Sequence, residues 1–165
     1  MSKVLVFQIS IISLILGIIL GSLAPIPVIG LGMLLTMILL SAPIVILFLV
    51  MAGKLDLTSP KDSIITGGLI GFCANISFSF IYSFIMYIMS QGFHSTTNFF
   101  LSAMIVNSPV WLILIFILFL GVLSATTNAF SGFVTYYIIN LIRDIYESKH
   151  PELKGQQDYN SEDYR

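Results

Sequence analysis

The sequence predicts an all-α integral membrane protein with four transmembrane helices and both termini cytoplasmic. Three observations carry this. Of 165 residues, 57% are hydrophobic and 9% are charged, where a soluble domain carries about 25% charged residues. The charges are segregated: no Asp, Glu, Lys or Arg occurs from Val4 to Gly53 or from Ser63 to Ile142. A helix crossing the hydrocarbon core needs about 20 such residues, so each of these stretches holds two spans once a turn divides it. Finally, the breakers fall where a four-span chain requires them. Mean hydropathy is +1.00 and the net charge is −1. Such a chain is neither a soluble globular domain, nor disordered, nor a basic nucleic-acid binder.

The first span is read as residues 4–23, ended by Ala24-Pro25-Ile26-Pro27. Each proline lacks an N–H and disfavours helix in the residue before it. The second span is 28–52, with a kink expected at Pro43. A short polar loop follows, and Ser59-Pro60-Lys61-Asp62 is a helix start. Serine suits the N-cap, proline the first helical position and aspartate the positive end of the helix dipole. This opens the third span, 63–89, with Gly92 as its stop. Ser108-Pro109 repeats the start signal, so the fourth span is placed at 109–131. Asn98–Asn107 then forms a short interfacial piece, the alternative being one helix from Phe99 kinked at Pro109.

An apolar helix from Pro109 to Ile142 would be about 51 Å long, well beyond a core of about 30 Å. The last helix is therefore expected to be long and bent, weakest over Thr126–Gly132. Residues 132–149 form an amphipathic extension. Val134, Ile138, Leu141, Ile142 and Ile145 lie on one face, and Asn140, Arg143, Asp144 and Glu147 on another. Tyr136, Tyr137 and Tyr146 suit an inner headgroup belt, and Phe93, Phe99, Phe100 and Trp111 its outer counterpart. The tail, 150–165, with two bases and four acids beyond Pro151, reads as disordered.

Orientation follows from the basic residues. With four spans Lys3, Lys54, Lys61, Arg143, Lys149, Lys154 and Arg165 share one side, whereas five spans divide them. The first segment is read as a retained span in the cell membrane, because its apolar stretch exceeds the roughly 7–15 residues of a signal-peptide core.

Catalytic constellations are not legible. Cys73 is the one cysteine, and His94 and His150 fall on opposite faces. No cofactor and no metal is implied, and the chain is expected not to be an enzyme. The spans contain no ionisable Asp, Glu, His, Lys or Arg, the residues that mark coupled ion pathways.

Small residues recur at helical spacing: Ser13, Gly17 and Gly21; Gly67 and Gly71; Gly121 and Ala125. Such stripes let helix backbones approach in lipid, either within one bundle or between copies. Gly30, near a helix end, is expected to tolerate bulk better than Gly17. Polar residues placed at membrane depth include the amides Gln8, Asn75, Asn128 and Asn140, and the hydroxyl of Thr36. Each needs a hydrogen-bond partner there. Counting 1.5 Å per residue from the span ends predicts two layers, Asn75 beside Thr36 and Gln8 beside Asn128.

Met51-Ala-Gly53, Lys61-Asp62-Ser63 and Gly67-Gly-Leu-Ile-Gly71 resemble the loop and third-span start of some small archaeal multi-span membrane proteins of unknown function. The resemblance implies a small membrane protein and no particular activity. The residues themselves lead to a non-enzymatic subunit or scaffold. Its partners are the bilayer and other membrane subunits or itself, with no nucleic acid. The alternative is a small homo-oligomeric channel or permease for a neutral solute.

The topology has a direct test. Single cysteines in a Cys73→Ser background should label from the cytoplasm at Ser59 and Ser161 and from outside at Ser95. Outside labelling at Ser161 would overturn the four-span count.

Overall fold

The computed structural model describes residues 3–26, 28–55, 59–93 and 99–149. The expectations for Pro27, His94, Ser95, His150 and the tail fall outside the described residues. Every regular element described is helical. The first span is α1, Lys3–Leu23. The second is built from α2, Ile29–Leu35, a π-helical turn, Thr36–Leu40, and α3, Ser41–Met51. The third is α4, Pro60–Phe93. After a short helix α5, Phe99–Asn107, comes α6, Val110–Lys149. Four helical stretches are thus long and apolar enough to cross a membrane. Large apolar side chains such as Phe7, Leu31, Trp111, Phe119 and Phe130 are more than 60% exposed. Apolar surface on that scale belongs against lipid. The chain is a multi-pass membrane protein.

The local signals explain the boundaries. At the end of α3 the Lys54 N–H donates to Leu49 O and the Gly53 N–H to Val50 O, both at 3.0 Å. Gly53 is left-handed, with φ 64°, as this helix stop requires. Ser59 caps α4 as its position suggested: its Oγ accepts from the Asp62 N–H at 3.2 Å. α5 and α6 are separate helices that break at Ser108-Pro109, so a single kinked helix from Phe99 is not formed. The Leu112 N–H donates to Pro109 O at 2.9 Å as the new helix begins.

One boundary differs from expectation. α4 runs past Met89 and through Gly92 to Phe93, since one glycine in an exposed helix interior costs only about 1 kcal/mol. α6 is a single long helix, as expected, and it stays unbroken through Thr126–Gly132. The polar side chains there do not compete with the helix, because they bond within it. Thr126 Oγ1 donates to Val122 O, Thr127 Oγ1 to Leu123 O and Asn128 Nδ2 to Ser124 O. At 40 residues the helix is about 60 Å long, twice the hydrocarbon core. Its charged end therefore projects from the bilayer.

α4 is the hub, with α1 along one side and α6 along another. Lipid tails are as apolar as leucine, so these helices are held by close packing rather than by the hydrophobic effect. Gly17 lies against Ala74 and Ser77, where a Cβ would strike the Ala74 carbonyl oxygen and Ser77 Oγ. At Gly21 a Cβ would lie 2.7 Å from Phe78 O, and Ser13 on the same stripe is fully buried. Ser77 Oγ crosses to donate to Leu14 O at 3.0 Å. On the other side Gly67 meets the Asn128 backbone, and a Cβ at Gly132 would lie 2.7 Å from Ser63 O. Ser63 Oγ donates to Gly132 O at 2.7 Å. Gly121 faces Phe72 and Ile76, and the Ala125 carbonyl lies 3.6 Å from a Cβ built on Gly68. These small-residue faces are thus occupied by the chain's own helices.

Two apolar clusters fill the bundle. One joins Ile9, Val45, Ile46, Leu49, Leu55 and Ile70. The other joins Leu20, Met37, Ala74, Phe78, Tyr82 and Met86.

Gly30, at the start of α2, is buried. Gly32, with nothing within 4 Å of a built Cβ, is the proper control. Gly17→Ala should therefore lower stability by about 1–3 kcal/mol, as forced overpacking does. Gly32→Ala should be neutral or stabilising by up to about 1 kcal/mol. Reversible unfolding in mixed micelles measures both, and equal effects would contradict the α1–α4 contact.

Candidate functional site

Pro43 organises the site. It supplies no N–H to the carbonyl of Leu39, four residues earlier, and its ring crowds that carbonyl. The helix responds upstream of the proline, in the π-helical turn Thr36–Leu40, where Leu40 opens to φ −113°. The distortion therefore precedes Pro43 instead of centring on it. It leaves backbone groups of the second span in need of partners, and α6 supplies them. Ser131 Oγ donates to Leu39 O at 2.7 Å.

Asn128 does more. Its Oδ1 accepts from the Ala42 N–H at 2.9 Å, and its Nδ2 donates to Ile38 O at 3.0 Å. Ala42 and Ile38 are the donor and acceptor that an undisturbed helix would pair with each other. The side-chain amide is inserted between them like a spare peptide group. Ser41 Oγ also donates to Oδ1 at 2.8 Å, while Nδ2 reaches Ser124 O at 3.0 Å and Ser124 Oγ at 3.2 Å. Two donors converge on one end of the amide and carbonyl acceptors on the other, which fixes its orientation. Asn128 is fully buried. Gly71 makes room for it: a Cβ there would lie 2.5 Å from Asn128 Cβ.

The other predicted polar residues are arranged differently from the two expected layers. Gln8, half-buried on α1, is not among Asn128's partners, which lie on the second span and on α6 itself. Thr36 Oγ1 donates to Gly32 O at 2.8 Å within its own helix, so it does not serve Asn75. The assumed registers fail because Asn128 packs against Gly71, one helical turn from Asn75. That places the two asparagines about 6 Å apart along α4 instead of in the two separate layers expected.

Beside Asn128 lies a cavity of about 240 Å³, walled by the second span, α4, α5 and α6. Ser124, a partner of Asn128, forms part of its wall together with Asn75. Asn75 is 5% exposed, and its Nδ2 is buried without a hydrogen-bond partner. The remaining wall is chiefly apolar, including Met37, Phe78, Tyr82 and Phe116.

This chemistry is neutral. Asparagine and serine do not exchange protons near neutral pH, so the cluster offers no general acid or base. Broken membrane helices often bind cations through freed carbonyls. Here the carbonyls of Ile38 and Leu39 accept from Asn128 and Ser131. No group of three or more His, Cys, Asp or Glu that could hold a metal occurs among the described residues. The arrangement can brace a helix break and can hold an uncharged molecule.

Sequence reading did not single out Ser41 or Ser131 as partners. The available signal was Ser41-Ala-Pro43, a hydroxyl just before a mid-span proline. Nothing comparable announces Ser131, whose acceptor is 92 residues away. Comparison of the chain with protein-family models, with curated proteins and with solved structures finds no match.

The two asparagines should respond oppositely to removal of their amides. Asn128→Leu strands the Ala42 N–H and the Ile38 carbonyl, and should cost about 2 kcal/mol or more. Asn75→Leu removes an unpartnered donor and should be neutral or stabilising. Unfolding of both variants decides it, and a larger loss at Asn75 than at Asn128 would refute the assignment.

Proposed function

We propose that this multi-pass membrane protein is a non-enzymatic subunit or scaffold of a membrane complex, acting through helix association. The observation that carries the reading is an open groove of about 700 Å³ between the kinked second span and α6. Its walls include Pro43, Leu47, Thr127, Phe130 and Ser131, all within the second and fourth spans as read from the sequence and hence at membrane depth. The occupant that fits such a groove is a transmembrane helix of another subunit, since van der Waals complementarity is what joins helices in lipid.

Two further facts support this. The glycine faces are already filled internally, so a partner must use another surface. α6 offers one: of its most apolar stretch only 17% is buried, against 44% for α4. The hydroxyls of Thr126 and Thr127 in the groove wall bond to carbonyls of their own helix. They present small, satisfied surfaces on which another helix can pack.

A photo-crosslinking residue at Phe130 should capture one defined membrane subunit, identified by mass spectrometry and confirmed by reciprocal copurification. The same residue at Phe7, exposed on α1, should not. Thr127→Trp should fill the groove and abolish copurification while the bundle still folds. Equal capture from Phe7 and Phe130 would sink the reading. Purified protein that by itself admits neutral solutes into liposomes would favour the alternative, a homo-oligomeric channel or permease.

A further inference from the structure

We propose that the cavity between the second span, α4, α5 and α6 binds a neutral, flat aromatic lipophile of the ketone or quinone class. Its carbonyl oxygen would accept a hydrogen bond from Asn75 Nδ2. This inference is independent of the subunit reading and concerns a different surface.

The donor is the starting point. Asn75 is nine-tenths buried in the cavity wall, and its Nδ2 has no acceptor in the fold. Asn128, one turn away, has every amide position engaged. An amide donor within hydrocarbon is costly unless an acceptor meets it. Nδ2 itself has almost no accessible surface as the fold stands. A turn of the amide about χ2, a broad torsion, would bring it to the cavity that Asn75 lines, and the acceptor that completes it is sought there.

Size and walls define the rest of the ligand. An apolar cavity of about 150 Å³ holds benzene. At about 240 Å³ this one takes a larger ring system. Phe78, Tyr82 and Phe116 lie in its wall, and the rings of Phe78 and Tyr82 are nearly parallel, 9° apart. Such faces suit a flat aromatic body. No charged side chain lines the cavity, so the ligand is uncharged. Leu112, Phe116 and Leu123 belong to the wall and are also exposed on the bundle surface. The mouth thus opens to lipid, and loading occurs from the bilayer.

Depth excludes the commonest carbonyl in a membrane. Asn75 lies 11 residues beyond Ile64, which is about 17 Å along α4 and near the middle of a core of about 30 Å. The ester carbonyls of a glycerophospholipid stay at the headgroup boundary. The acceptor at Asn75 must belong to a molecule that enters the hydrocarbon whole.

The test uses fluorenone, a flat aromatic ketone, and fluorene, the same rings with a methylene in place of the carbonyl. Both are titrated into the purified full chain in nanodiscs, with saturable binding followed by thermal stabilisation and by retention of radiolabelled probe. Fluorenone should saturate one site per chain and bind at least about tenfold more tightly than fluorene, the worth of one buried hydrogen bond. Asn75→Leu should reduce fluorenone to the level of fluorene and leave fluorene unchanged. Ser83→Trp, filling the cavity from α4, should abolish both. Equal binding of the two probes to the wild-type chain would overturn the proposal in favour of a cavity filled by lipid chains. So would fluorenone binding insensitive to Asn75→Leu, the result if water completes the amide. Binding that survives Ser83→Trp would place the site elsewhere and overturn it as well.

Discussion

The fold depends on one side-chain amide acting as a peptide group. A proline in the middle of a membrane span removes a donor and displaces a carbonyl, and no water is at hand to satisfy what is left. Asn128 bridges the break by taking the Ala42 N–H on its oxygen and the Ile38 carbonyl on its nitrogen. Ser131 takes the Leu39 carbonyl one turn along the same helix. The second span and α6 are therefore joined by backbone need as well as by packing.

That join is possible because α4 yields space. Gly67 and Gly71 bring α4 against α6 at the level of Asn128, and Gly132 returns the close approach near Ser63. A single methyl group at Gly71 would compete for the volume that Asn128 occupies. Glycine stripes and buried asparagine are thus two halves of one device: one brings the backbones close, and the other uses the closeness to reach the broken helix. α1 joins the opposite side through Gly17, Gly21 and the Ser77 bond to Leu14.

The broken second span forms part of the wall of both the cavity that Asn75 lines and the groove beside Phe130. Neither contains a charged side chain. What both offer is shape and neutral hydrogen-bonding groups.

The sequence by itself determined the four spans, because charge and proline are expelled from continuous membrane helix whatever lies alongside. It also marked the Ser59 cap and the start at Ser108-Pro109, since these signals act on their own neighbours in the chain. It identified Asn75 and Asn128 as residues in need of partners, and Ser13, Gly17, Gly21, Gly67, Gly71, Gly121 and Ala125 as faces for close approach. It could not say which partner each would meet. Counting rise from assumed span ends put Asn128 beside Gln8, whereas the glycine contacts slide α6 until Asn128 faces Gly71. A shift of a few residues along a helix costs nothing in local hydrogen bonding, so only packing between helices fixes it. For the same reason the tertiary structure alone decided that Asn128 is fully bonded while Asn75, a turn away, is left with a free donor beside a cavity.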